Sequence, residues 1–263
     1  MRAPIRLAKS LLSRMGIVAF KRSSGVYVPD EDSYRIVAEL CGRSDPVIID
    51  GGAHRGDSVE ALSVYLPDAE FHCFEPDPAL GQELMNIFAG RTNVHVVQAA
   101  LGESIGRAIF NINASRPTNS LLPTSVSVEA GLGSLCQTVE RIDVDVTTID
   151  HYRTQKNLRR IDVIKLDLQG YDYRALCGAR QTLPGVRVVL VEVLFGELYE
   201  GSGSLSDILR LMEQCGFSLF TLSGLHYGAG DRLLWADAVF VNRALGDRKN
   251  LRPQASRPNE RSG

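Results

Sequence analysis

The sequence predicts an α/β protein built on one open sheet of seven strands, mostly parallel with an antiparallel last strand, and three features carry that reading. Helical periods alternate with short, continuous apolar runs, the pattern of strands that are covered on both faces. One such strand runs into closely spaced glycines at Asp50–Gly56 and then into a helical pattern. The next strand closes on an acid, Glu75, within Phe71-His72-Cys73-Phe74-Glu75-Pro76-Asp77-Pro78.

In chain order, residues 1–29 hold six basic and no acidic residues, with Ile5, Leu7, Leu11, Leu12, Met15, Ile17 and Val18 between the charges. They read as a basic amphipathic helical extension that covers part of the domain's own core, with weak membrane-surface contact through residues 1–22 as the alternative. A helix follows over 32–42, then the buried strand Val47-Ile48-Ile49 ending on Asp50, a helix over 57–65, a strand 69–74, a helix 78–89 and a strand 93–98. After Gly102 the rhythm breaks. Strands at 105–112 and 137–146 enclose a stretch rich in Ser, Thr, Asn, Gly and Pro, so 103–146 is expected to be an inserted hairpin with a mobile lid loop. The alternation resumes with a helix 147–153, strand 161–167, helix 171–180, strand 186–193 and helix 205–215. Strands 217–222 and 234–242 then pair antiparallel across a loop at 223–233. The domain spans 30–245, and the tail 246–263, with Pro253 and Pro258, is expected to be disordered.

Of 263 residues, 44% are hydrophobic and 23% charged, the balance of a soluble globule. The body, residues 30–245, holds 18 basic against 29 acidic residues, a net charge of -11 that argues against nucleic acid as a partner. Five cysteines with no CxxC, too odd and too dispersed for a disulfide framework, suit a reduced, cytoplasmic protein. Neither HExxH nor a four-ligand zinc spacing is present, so no metal is expected, and His72 and His95 read as packing residues in strands.

The glycine turn is a place where a ligand approaches backbone N–H groups. The dinucleotide pattern Gly-x-Gly-x-x-Gly is not met, because Ala53 and His54 stand where it needs glycine. Asp50 at the strand tip suits a ligand carrying an ammonium or sulfonium, and Glu75 at the next strand end suits a ribose, whose hydroxyls a carboxylate accepts. Either motif alone is equally a structural turn or a surface acid.

These stretches, with NVHVVQAALGE at 93–103, TTIDHY at 147–152, IDVIKLDLQGYDYRALCG at 161–178 and VVLVEV at 188–193, resemble the FkbM family of S-adenosylmethionine-dependent methyltransferases over roughly residues 45–240. The resemblance implies the Rossmann-like class I methyltransferase sheet, S-adenosyl-L-methionine as cofactor, and methyl transfer to a hydroxyl of a small natural product, sugar or glycan. It differs at Gln169, which stands in Lys165-Leu166-Asp167-Leu168-Gln169-Gly170 where the family pattern has glutamate. A non-catalytic nucleoside-binding protein on the same scaffold, or a methyltransferase for nitrogen or nucleic acid, is the alternative. Oligomeric state stays open, a homodimer included.

Strand order then assigns expected roles. Asp50, Gly51, Gly52, Ala53 and Gly56 surround the methionine part of the cofactor, with Ser58 and Asp77 behind them; Glu75 takes the ribose; Gln98, Ala99 and Ala100 edge the adenine. Asp167, at a strand end, binds the cofactor ammonium, orients the acceptor hydroxyl or takes its proton, or else caps a helix before Tyr171. Glu192 is a pocket residue or a satisfied structural acid. His54 in the turn and His226 in the last loop are candidate bases, imidazole having a pKa near neutrality. Asn119 and Ser120 in the lid are expected to hydrogen-bond an oxygen-rich acceptor, while Leu121 and Leu122 exclude water.

Overall fold

The computed structural model describes residues 32–125, 133–228 and 231–245; the expected N-terminal helix and C-terminal tail lie outside the described residues. Helix α1 (Ser33–Cys41) starts where Asp32 accepts from the Tyr34 and Arg35 N–H groups and stops at Gly42, whose φ of 60° is left-handed. Strand β1 (Val47–Gly51), helix α2 (Asp57–Tyr65), strand β2 (Glu70–Phe74), helix α3 (Pro78–Ile87) and strand β3 (Val94–Val97) follow. Asp77 caps α3, and Pro78 occupies its first turn, where no N–H is needed.

A small second sheet comes next, from β4 (Ala100–Leu101), β5 (Gly106–Asn113) and β6 (Thr138–Thr147) in the order β4-β6-β5. The chain then forms α4 (Ile149–Gln155), β7 (Val163–Leu166), α5 (Asp172–Cys177), β8 (Val188–Leu194), α6 (Leu205–Gln214), β9 (Phe217–Tyr227) and β10 (Leu233–Asn242).

The main sheet has seven strands in the order β3-β2-β1-β7-β8-β10-β9, parallel except for β10, which runs antiparallel to both neighbours. Strand order reverses between β1 and β7, and the crevice outside the carboxyl ends there is where open α/β sheets bind ligands.

Consecutive strand residues feed opposite layers. Ile48, Val163 and Val188 pack with α1, α2 and α3 through Val37, Leu62 and Leu84, whereas Ile49, Ile164 and Val189 pack with α4, α5 and α6 through Tyr152, Leu176 and Leu211. This double covering explains the continuous apolar runs. All five cysteines are free thiols, Cys41, Cys73 and Cys136 buried as small apolar residues. Among the described residues no helix is long and apolar enough to cross a membrane.

One boundary differs from the sequence reading. Strand β9 continues to Tyr227, so the first part of the loop expected at 223–233 is strand, with Asp237 opposite Ser223 and Trp235 opposite His226.

Candidate active site

A cavity of about 340 Å³ opens at the carboxyl ends of β1, β2 and β7. Beyond β1 the chain turns through Gly52 at φ 72°, His54 at φ 50° and Gly56 at φ 83°. A Cβ on Gly52 would lie 2.0 Å from the Asp167 carbonyl oxygen, so glycine lets this turn rest directly on the end of β7. The N–H groups of Gly52 and Ala53 both donate to the Phe74 carbonyl at 3.1 Å and hold the turn to the end of β2.

Glu75 follows β2, is 4% exposed and faces the cavity. One carboxylate oxygen accepts from the His54 N–H at 2.9 Å and the other from the Asp77 N–H at 2.9 Å. Burial outweighs those two donors and pushes the Glu75 carboxyl up to about 7. Asp77 is occupied at the start of α3, and its second oxygen lies 3.2 Å from Arg116 Nη1.

Asp50, expected beside the ligand, sits beneath the turn and does not line the cavity. Ser58 Oγ donates to its Oδ2, and Lys165 Nζ lies 3.0 Å from its Oδ1. The ammonium of Lys165 also donates to the carbonyls of Gly51 at 3.4 Å and Gly52 at 3.2 Å. Burial works to lower the Lys165 pKa, but the charges of Asp50 and Asp167 prevail and hold it above its ordinary value. Sequence reasoning missed Lys165 as a support for the turn. The signal was lateral, since Asp50 and Lys165 are register partners on adjacent parallel strands.

Across the cavity stands half-buried Asp167, the residue after β7. Its Oδ1 accepts from Gln169 Nε2 at 2.7 Å, and the same amide nitrogen donates to Glu192 Oε2 at 3.1 Å. Tyr199 donates its hydroxyl to Gln169 Oε1 at 2.7 Å, which fixes the amide with its nitrogen toward the two carboxylates. Gln169 therefore bridges Asp167 and Glu192 with an uncharged donor. Glu192 does not line the cavity, and burial, then Asp167, Asp172 and Asp237, hold it well above the ordinary carboxylate range. Asp172, the first residue of α5, is pushed up to about 7 by burial and then Asp167; it accepts from the Leu168 and Gly170 N–H groups of the preceding loop, and no side chain, Asp167 included, caps the helix.

Among the described residues that line the cavity, His54 and Asn119 each hold a buried polar atom without a hydrogen-bond partner, Nε2 and Nδ2 respectively. Burial and then Arg55 lower the His54 pKa, keeping the imidazole neutral. Asn119 is oriented by the Asn113 N–H, which donates to its Oδ1 at 2.8 Å. Ser120 is spent on structure: its hydroxyl donates to the Gln169 carbonyl at 2.8 Å and accepts from the Leu122 N–H at 3.0 Å. Together with Arg116 on Asp77, these bonds tie the segment expected as a lid across the cavity mouth, while residues 126–132 lie outside the described residues. Leu121 lines the cavity.

Other expected residues divide. Ala53, Ser58, Ala99 and Ala100 line the cavity; Gly51, Gly56 and Gln98 do not, Gln98 being exposed with its amide on the Pro78 carbonyl. Gly56 begins α2, and a Cβ there would lie 2.4 Å from the Phe88 ring. His226 is exposed on β9, stacked at 4.7 Å on Trp235, and is not part of the cavity wall.

The arrangement joins a backbone turn that carries a neutral imidazole, a buried carboxylate and apolar walls on one side to an oriented carboxylate and an amide donor on the other. The family model of the methyltransferase FkbM domain matches residues 50–219, from the acid beneath the turn to the start of β9. The 2-O-methyltransferase NoeI of Sinorhizobium fredii is 27% identical to this chain over 184 residues, which cover 68% of this chain and 76% of that protein. Methyltransferase sdnD of Sordaria araneosa is 26% identical over 75% of this chain and 80% of its own, and Methyltransferase 1 of Beauveria bassiana 24% identical over 66% and 73%. With the turn, the strand order and the family match all falling on the same residues, the chain belongs to the FkbM methyltransferase family and is a methyltransferase.

Proposed function

We propose that this methyltransferase uses S-adenosyl-L-methionine and methylates a hydroxyl group of a small natural product, sugar or glycan. The observation that carries the reading is the convergence of the Gly52–His54 turn and Glu75 on one cavity with Asp167 on the opposite side. The donor set fits the cofactor. A carboxylate has about four acceptor sites, and the two backbone N–H groups on Glu75 leave it able to accept from two ribose hydroxyls. Leu80, Ala99 and Ala100 offer an apolar wall to a purine. When bound, S-adenosyl-L-methionine supplies a methyl group already activated on a positively charged sulfur.

The chain's own task is then to align the acceptor, exclude water and accept a proton. Gln169 holds Oδ1 of Asp167, leaving Oδ2 to orient the acceptor hydroxyl and take its proton. Asn119 Nδ2, which has no partner, is the donor we assign to a second acceptor oxygen, and neutral His54 is the alternative proton acceptor. The printed activity of the relative NoeI, 2-O-methylation, supports oxygen as the acceptor atom.

Incubation with the cofactor and a panel of hydroxylated small molecules, sugars and glycans, read by mass spectrometry, tests this. A gain of one methyl, abolished when the acceptor hydroxyl is blocked beforehand, is expected; transfer only to amines or nucleic acid would overturn the hydroxyl assignment.

A further inference from the structure

Outside the cavity wall, the amino-terminal half of β2 and the edge strand β3 bring together Glu70, His72 and His95. Glu70 and His72 stand two apart on β2 and so share a face, and the strand register sets His95 beside His72. Glu70 Oε1 lies 3.2 Å from His95 Nε2 and 3.4 Å from His72 Nε2, and all three atoms lie within 4.8 Å of one another. The His72 ring is 3% exposed, and its Nε2, aimed into this cluster, is buried with no hydrogen-bond partner. Its other nitrogen, Nδ1, is 2.9 Å from the Tyr152 hydroxyl.

We propose that Glu70, His72 and His95 form a zinc site, with a fourth position open to water. Two imidazoles and one carboxylate suit Zn²⁺, whereas calcium and magnesium favour all-oxygen shells. A tetrahedral ion with ligands at about 2.0–2.1 Å sets neighbouring ligand atoms roughly 3.3–3.4 Å apart, the spacing that Glu70 keeps to both rings. The His95 contact stands at the long end of an ordinary N–H···O bond, and at 3.4 Å the buried His72 Nε2 makes no hydrogen bond to Glu70, so a shared ion would satisfy a nitrogen that the carboxylate leaves unpaired. Tyr152 supplies the outer contact on His72 Nδ1 that a metal-bound imidazole uses to hold its tautomer and orientation. His95, exposed, has the freedom to close on the ion. Because β3 is paired on one side only, the ion would strap this edge strand to β2.

The test uses untagged full-length protein, stripped with a chelator and dialysed, and titrated with Zn²⁺ against a chromophoric competitor. One ion per chain is expected, with a higher melting temperature when it is bound. His95→Ala and Glu70→Gln, both at partly exposed positions, are expected to weaken binding at least about tenfold and abolish the thermal shift, and Tyr152→Phe to weaken it about tenfold. His151→Ala, outside the cluster, is expected to bind like the parent. Absence of one-to-one binding by the parent, or parental affinity in His95→Ala, would overturn the proposal.

Discussion

Lys165 Nζ lies 3.0 Å from Asp50 Oδ1, joining the ends of two adjacent parallel strands directly under the turn that forms the cavity floor. The same ammonium reaches the carbonyls of Gly51 and Gly52, so one buried cation neutralises the acid and ties down the backbone above it. Removing one partner strands a charge in the interior. Lys165→Met is therefore expected to cost about 3–5 kcal/mol of stability in denaturant unfolding, and the Asp50→Asn/Lys165→Met double variant to recover part of that loss. Equal stability of the parent and Lys165→Met would show that the pair does not support the turn.

The Glu75 carboxyl is pushed up to about 7 by burial, above the ordinary glutamate value of 4.5. A proton held in the folded state stabilises the ligand-free protein below that ordinary value, and this contribution is lost as pH rises through about 7. The proposed bonds from ribose hydroxyls are stronger to the ionised form, so cofactor affinity follows the opposite sign. Calorimetric affinity for S-adenosylhomocysteine is expected to be about tenfold weaker at pH 6 than at pH 8, with Glu75→Gln flattening the difference. A parental pH dependence in Glu75→Gln would assign the titration elsewhere.

Much of this was legible in the sequence because it is local. Ile48 and Ile49 lie in a continuous apolar run that only a doubly covered strand explains, and the glycines and Glu75 keep their spacing along the chain. What lateral register assembles was hidden: Asp50 meets Lys165 across strands far apart in sequence, and Glu70 and His72 meet His95 across two consecutive strands whose register no local period marks. The extension of β9 was hidden for a related reason. Gly224 and His226 read as loop residues, but pairing of Ser223 with Asp237 and of His226 with Trp235 carries the strand through an irregularity at Gly224, whose φ is 58°.

Gln169 donates to Asp167 and Glu192 together. Gln169→Glu places a third carboxyl among acids of which Glu192 already sits well above its ordinary range, and a like charge disfavours ionisation of its neighbours. The acid limb of the turnover profile is expected to move to higher pH, by about one unit, as the base takes up its proton more readily. Superimposable profiles would remove Gln169 from any role in positioning Asp167.

Asp167→Asn keeps the shape of the side chain and loses its charge and basicity. Turnover at saturating cofactor is expected to fall at least about tenfold, or roughly 1.4 kcal/mol in the barrier, and more than in Glu192→Gln or His226→Ala, whose side chains do not line the cavity. Near-parental turnover in Asp167→Asn with a large loss in His54→Ala would move the proton to the imidazole.

Glu75 is the residue we propose to hold S-adenosyl-L-methionine in the cavity, through its ribose. Calorimetric titration of the parent and Glu75→Ala with S-adenosylhomocysteine, and of the parent with NAD, tests this assignment most directly. One site per chain in the parent, no response to NAD, and a loss of at least about 1.5 kcal/mol, tenfold or more in affinity, in a folded Glu75→Ala are expected; unchanged affinity in that variant, or binding of NAD in place of the methionine-derived ligand, would overturn the assignment.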